Sequence, residues 1–156
     1  VAEPGSALAK GLDAVAEKDS SFDAQQFLSG ARSAYEMIVL AFANGDRRSL
    51  KDLLSSEVYE GFETVIRDRE KNDQRAETRF VSIDKAEIVN AGVRDRAAHV
   101  TVRFVSQIIS AIRDKAGQVI DGSADSVTDV TDVWTFARDL ASRDPNWKLV
   151  GTDSGH

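Results

Sequence analysis

The stretch Val127–Val150, V-T-D-V-T-D-V-W-T-F-A-R-D-L-A-S-R-D-P-N-W-K-L-V, carries both tryptophans and reads as strand, polar turn and strand. Val130, Trp134 and Phe136 share one phase of a period-two pattern; Thr131, Val133 and Thr135 share the other. Such a hairpin turns through Asp144-Pro145-Asn146 and returns through Trp147 and Leu149. Its Trp134 and Phe136 face needs a bulky apolar cover, and the first half of the chain supplies one.

Helical spacing dominates that half. Ser6 to Asp19 is weakly amphipathic, with Leu8, Leu12 and Val15 on one stripe. A helix of that length is marginal alone, so it must dock on the domain itself, on a neighbouring molecule or on a lipid surface, or fray. Next comes a stronger helix with Ser20 or Ser21 as N-cap and Asp23 in its first turn; Phe27, Ala31, Ala34, Tyr35, Ile38 and Phe42 form its apolar face, and Asn44-Gly45 ends it. Asp46 caps a short helix through Leu50, Leu53 and Leu54. Ser55 or Ser56 opens another carrying Val58, Tyr59, Phe62, Val65 and Ile66, and the helical half closes near Asn72.

Beyond the mixed-charge run from Arg67 to Arg79, which reads as a solvated helix end and loop, the pattern is strand-like. Arg79 to Ala91 changes phase near Asp84-Lys85, which suits a β-bulge. In Arg96 to Asp114, Val100, Val102 and Phe104 point one way and Val105, Ile109 and Ala111 the other. The far end of that strand is therefore expected to be covered on both faces. Helices first and strands second predict an α+β fold, with N-terminal helices packed on a bent antiparallel sheet. The expected organisation is an N-terminal helix over residues 1–21, detached or facing a membrane or partner, and one domain over 22–156.

Composition narrows the chemistry. At 156 residues with 42% hydrophobic residues, the chain supports one ordinary core. No apolar run reaches the ~18 residues that a membrane-crossing helix needs. A valine at position 1 suggests a processed or cut form, which leaves room for a targeting or anchoring segment upstream. Zero cysteines exclude thiol nucleophiles, disulfides and cysteine-based zinc sites. His99 and His156 are the only histidines, and His99, alternating with Thr101 and Arg103, reads as a plain surface residue. No metal and no cofactor are expected. A net charge of −6 argues against general binding to nucleic acid phosphates.

The segments A-R-S-A-Y-E-M-I-V-L-A-F-A-N-G-D (Ala31–Asp46), L-L-S-S-E-V-Y-E-G-F (Leu53–Phe62), D-V-W-T-F-A-R-D (Asp132–Asp139) and N-W-K-L (Asn146–Leu149) resemble one family. It is the C-terminal domain of the mitochondrial inner-membrane translocase subunit Tim44 and its bacterial relatives. The resemblance covers about Phe22 to Val150. It implies a cystatin-like α+β fold, close to that of nuclear transport factor two. It also implies a non-enzymatic protein against the inner membrane, peripheral or anchored by an upstream segment, that tethers translocation or assembly machinery; in mitochondria the partners are the import channel and a DnaK-class motor.

A bent sheet closed by helices often leaves an apolar pocket. The candidate lining is Phe27, Ala31, Tyr35, Phe62, Ile66, Val102, Phe104, Trp134 and Phe136, residues that otherwise simply fill the core. Core filling is the favoured reading for any one of them; the sharper reading is a cavity for an acyl chain of membrane lipid or another hydrophobic ligand. Asp132 breaks the apolar phase beside Trp134, so it must find a hydrogen-bond donor, reach water or act as a base; the plain reading is a strand-end cap or an ion pair, for instance with Arg103 or Arg138, though these should favour the opposite or distal side. A soluble small-molecule binder or ketosteroid-isomerase-like enzyme on the same fold, using Asp132, is the alternative. Leu8, Leu12 and Val15 form the second candidate site, for a membrane, a partner or oligomerisation.

Overall fold

The computed structural model describes residues 3–154; Val1, Ala2, Gly155 and His156 lie outside it, and with them the second histidine. Four helices precede five strands: α1 (Ala7–Lys18), α2 (Ala24–Asn44), α3 (Arg47–Leu53), α4 (Ser56–Lys71), β1 (Arg75–Arg94), β2 (Ala97–Arg113), β3 (Val119–Gly122), β4 (Thr128–Asp139) and β5 (Lys148–Ser154). The strands form one antiparallel sheet in the order β1-β2-β4-β5, with β3 pairing on the far end of β2.

Local chemistry sets the helix limits. Each N-cap oxygen accepts a backbone N–H that the first turn leaves unpaired: Ser6 from Ala9, Asp23 from Gln25 and Gln26, Asp46 from Ser49, and Ser55 from Val58. Asp23 thus takes the cap expected of Ser20 or Ser21, because Asp19 draws Ser21 to itself through both the backbone N–H and the hydroxyl. Gly45, at φ 68°, ends α2 in the left-handed region that a glycine occupies without strain.

The sheet is bent. β1 breaks register with β2 between Phe80 and Ser82, between Ile83 and Lys85, and between Ile88 and Asn90, where one bulge was expected. Bulges bend and twist the strand that carries them. Ala98, Val100, Val102, Phe104 and Ser106 all face the helices with essentially no exposure. Trp134 and Phe136 of β4 join them, as do Tyr35 and Ile38 of α2, Leu50, Leu54, Ile66 and Leu149. A backbone bond from Ser55 N–H to Leu149 C=O, at 2.9 Å, ties the α3–α4 junction to β5.

The two-sided apolarity of β2 has a local cause. Ala111, on the face turned from the helices, is buried at 2% exposure, and the chain turns back beside this end as β3, where Gly122 pairs closely with Ala111 and Ser123 N–H bonds Ser110 C=O.

α1 docks on the domain itself. Val15 is fully buried, Leu8 and Leu12 are partly so, and Gly11 lies so close to β1 that a Cβ there would meet Ala91 C=O at 1.8 Å. Its C-terminal end is pinned by an ion pair from Asp19 to Arg138 of β4.

Candidate functional site

Tyr35 occupies the middle of the concave face at 1% exposure. Its ring stacks on Phe104 with centroids 4.2 Å apart and planes 12° apart, and meets Trp134 edge-on at 4.6 Å. Its hydroxyl donates to Asp132 Oδ2 at 2.5 Å and lies 3.0 Å from Ser106 Oγ. Asp132 therefore pairs with Tyr35, across 97 positions of sequence. The arginines considered for it are engaged elsewhere, Arg103 with Glu87 and Arg138 with Asp19.

Burial pushes the Asp132 carboxyl up from its ordinary range, and the Tyr35 hydrogen bond only partly offsets that. Burial first, and then Asp132, push the Tyr35 hydroxyl above the usual tyrosine range. A carboxyl whose folded pKa is raised adds stability below the unfolded value of about 3.9, and that stability is lost as pH rises through the folded pKa. Asp132→Asn keeps an acceptor for Tyr35 without the desolvated charge. At neutral pH the variant is expected to unfold at or above the wild-type temperature, with its advantage shrinking as pH falls through the raised Asp132 pKa. A marked loss of stability at pH 7 would contradict this account of the pair.

The open space lies beside that core. A groove of about 570 Å³ runs between the first half of α2, the α1–α2 linker, the end of β4 and the loop before β5. Its walls are aromatic: Phe27 meets Trp147 edge-on at 4.8 Å and Phe136 at 6.0 Å, and Phe22 closes on Phe27 at 6.0 Å and Trp147 at 6.1 Å. Gly30, Ala31 and Ala34 line its α2 side, where a Cβ on Gly30 would meet nothing within 4 Å.

Asp19, Asp23 and Arg138 are the charged residues of the groove. The Asp19–Arg138 pair is mostly buried, with side chains 13% and 19% exposed, and Arg138 Nε is buried with no hydrogen-bond partner. The Ser21 hydroxyl, and beyond it the Arg138 guanidinium, hold the Asp19 carboxyl below its usual range.

Of the candidate lining residues, Phe27, Ala31 and Phe136 face this groove. Tyr35, Ile66, Val102, Phe104 and Trp134 fill the core beneath it, and Phe62 packs against Phe42 at 4.8 Å on the other side of the helical layer. Sequence reasoning missed Phe22, Gly30 and Ala34, and it placed Trp147 in the returning strand. Trp147 stands one residue before β5, in the loop, free to turn toward α2. Its signal was the preceding Pro145-Asn146, which delays the strand. His99 does sit on the outer face but is not plainly exposed: it is half-buried, and its Nδ1 is shielded without a hydrogen-bond partner. Among the described residues no His, Asp and Glu cluster could hold a metal ion.

Helices laid in the concavity of a bent antiparallel sheet, with an aromatic groove at one end, define a cystatin-like α+β domain. The chain belongs to the Tim44-like domain family, whose model matches residues 8–154. It is 23% identical over 136 residues to the probable mitochondrial import inner membrane translocase subunit tin-44 of Caenorhabditis elegans, covering 85% of this chain and 32% of that protein. It is 23% identical over 142 residues to the human mitochondrial import inner membrane translocase subunit TIM44, covering 89% of this chain and 31% of that protein. The chain thus spans about a third of the length of these relatives. The intermembrane space region of the chloroplast protein ARC6 shares the fold, with a TM-score of 0.57 at 12% identity over 85% of this chain and 96% of that one.

Proposed function

We propose that this domain is a non-enzymatic, membrane-peripheral scaffold in protein translocation or inner-membrane assembly, and that its groove holds an apolar ligand such as a lipid acyl chain. The observation that carries the ligand is the groove itself, walled by Phe22, Phe27, Phe136 and Trp147. Its volume lies within the ~300–1,000 Å³ usual for ligand pockets. The translocation setting rests on family membership and on the names of the inner-membrane translocase relatives. Among the described residues no helix is long and apolar enough to cross a membrane, so attachment falls to lipid, protein partners or an upstream anchor.

The enzymatic reading needs Asp132 at a substrate. A general base must lie within hydrogen-bond reach of the proton it takes. Asp132 is bonded to Tyr35 and does not line the groove. Asp132→Asn should therefore leave membrane fractionation and co-purifying proteins unchanged, and their loss would favour a ligand-processing role.

Gly30→Leu tests the groove directly. The new side chain enters open space, and removing a mid-helix glycine favours α2 by up to about 1 kcal/mol. Native mass spectra of protein incubated with a lipid extract are expected to show a lipid adduct on the wild type that the variant lacks. A wild type that stays bare, or a variant that loads equally well, would sink the proposal.

A further inference from the structure

At the opposite end of the sheet, Arg75, Glu77 and Arg79 alternate along β1 on the face turned from Phe80. The antiparallel register sets Arg113 across from Arg75, Ala111 across from Glu77 and Ile109 across from Arg79, while Val119 of β3 flanks Arg113 on its other side. Like charges directly opposite one another on a sheet repel. One carboxylate relieves part of that: Glu77 accepts from Arg113 Nε at 2.6 Å, and Arg113 also donates to Gly117 C=O at 2.8 Å. The side chains of Arg75 and Arg79 make no hydrogen bond or ion pair with the described residues. The Glu77 carboxyl is held below its usual range by the Arg113 hydrogen bond, and the fields of Arg75 and Arg79 add to it.

These side chains rim a hollow of about 590 Å³ that also takes in Ile109, Ala111, Ala124 and Asp125. Three guanidiniums against the carboxylates of Glu77 and Asp125 make it locally positive, in a chain whose net charge is −6. It shares no residue with the aromatic groove.

We propose that this hollow is a binding site for a phosphate or phosphoester group, with Arg75 and Arg79 as its clamps. Arg113, oriented by Glu77, supplies the third charge. Guanidinium forks match the oxygens of a phosphate, and a dianion answers two unpaired cations better than a carboxylate does. Ile109 and Ala111 give the less polar part of a phosphoester a dry floor. The carboxylate of Glu77 competes with the ligand for the same cations.

Amide spectra of the full chain, titrated with inorganic pyrophosphate at constant ionic strength, test this. Saturable shifts are expected at residues 75–79 and 109–113. Arg75→Ala with Arg79→Ala, both exposed, should weaken binding about tenfold or more through the loss of charge-assisted bonds. Glu77→Gln should tighten it, a gain that a purely structural Glu77 would not produce. Vesicles of phosphatidylcholine with and without phosphatidylglycerol separate the sources: a response at the same amides to the anionic vesicles makes a lipid headgroup the ligand, and a response to pyrophosphate alone makes it a free phosphoester. Shifts that chloride reproduces, or a double variant that binds as the wild type does, would overturn the proposal.

Discussion

Phe104→Ala is expected to destabilise the domain by about 3–5 kcal/mol, the range for truncating a buried aromatic ring. The site has little means of collapsing. Phe104 is fully buried on β2, with Tyr35 stacked on one face and Trp134 edge-on at 5.9 Å. Those rings are held in turn by the sheet register and by the Tyr35 bond to Asp132, so the void stays largely open. In a domain of this size each kcal/mol moves the midpoint by about 2–4 °C, so the melting temperature should fall by about 6–20 °C. Thermal unfolding followed by tryptophan fluorescence measures this, and a fall of only a degree or two would mean that Phe104 does not anchor the core. Phe62→Ala, on the partly exposed side of the helical layer, should cost clearly less.

Gly11→Val should release α1 while leaving the rest of the fold intact. Glycine in a helix interior costs about 1 kcal/mol relative to alanine, so its presence there calls for a reason. The reason is contact: any Cβ at position 11 would drive into the backbone carbonyl of Ala91, which β1 holds in place. The helix must then lift away, and Val15 loses its burial. Hydrogen exchange should show loss of protection over residues 7–18 with the strands still protected. Unchanged protection in α1 would show that the close approach is not obligatory. Gly11→Ala should act in the same direction, since its methyl group is already the clashing atom.

Much of the architecture was legible. The helix ends at Asp46, Ser55 and Gly45 followed from those residues, because caps and left-handed stops act within a few residues of themselves. The burial of Trp134 and Phe136 followed from alternation, since a strand sends successive side chains to opposite faces. The helix cap at Asp23 was missed because Ser21 is drawn into a competing local turn by Asp19. Only one of the three bulges in β1 had a visible signal; the others displace Val81 and Val89, valines that fit either phase.

The candidate site was less legible for a definite reason. Its parts meet across long separations: Tyr35 reaches Asp132 over 97 positions and Asp19 reaches Arg138 over 119. Which aromatic rings pack solidly and which leave a groove depends on how α2 crosses the sheet, and no local pattern encodes that. By itself the sequence determined the order of helices and strands, their capped limits and the side of each strand that turns inward, because these are short-range consequences of backbone sterics and hydrophobic period. Only the tertiary structure decided that Tyr35 takes Asp132, that Phe22 and Trp147 wall a groove, and that Arg75, Arg79 and Arg113 gather around one hollow, because register and close packing bring together side chains whose chain neighbours carry no record of the meeting.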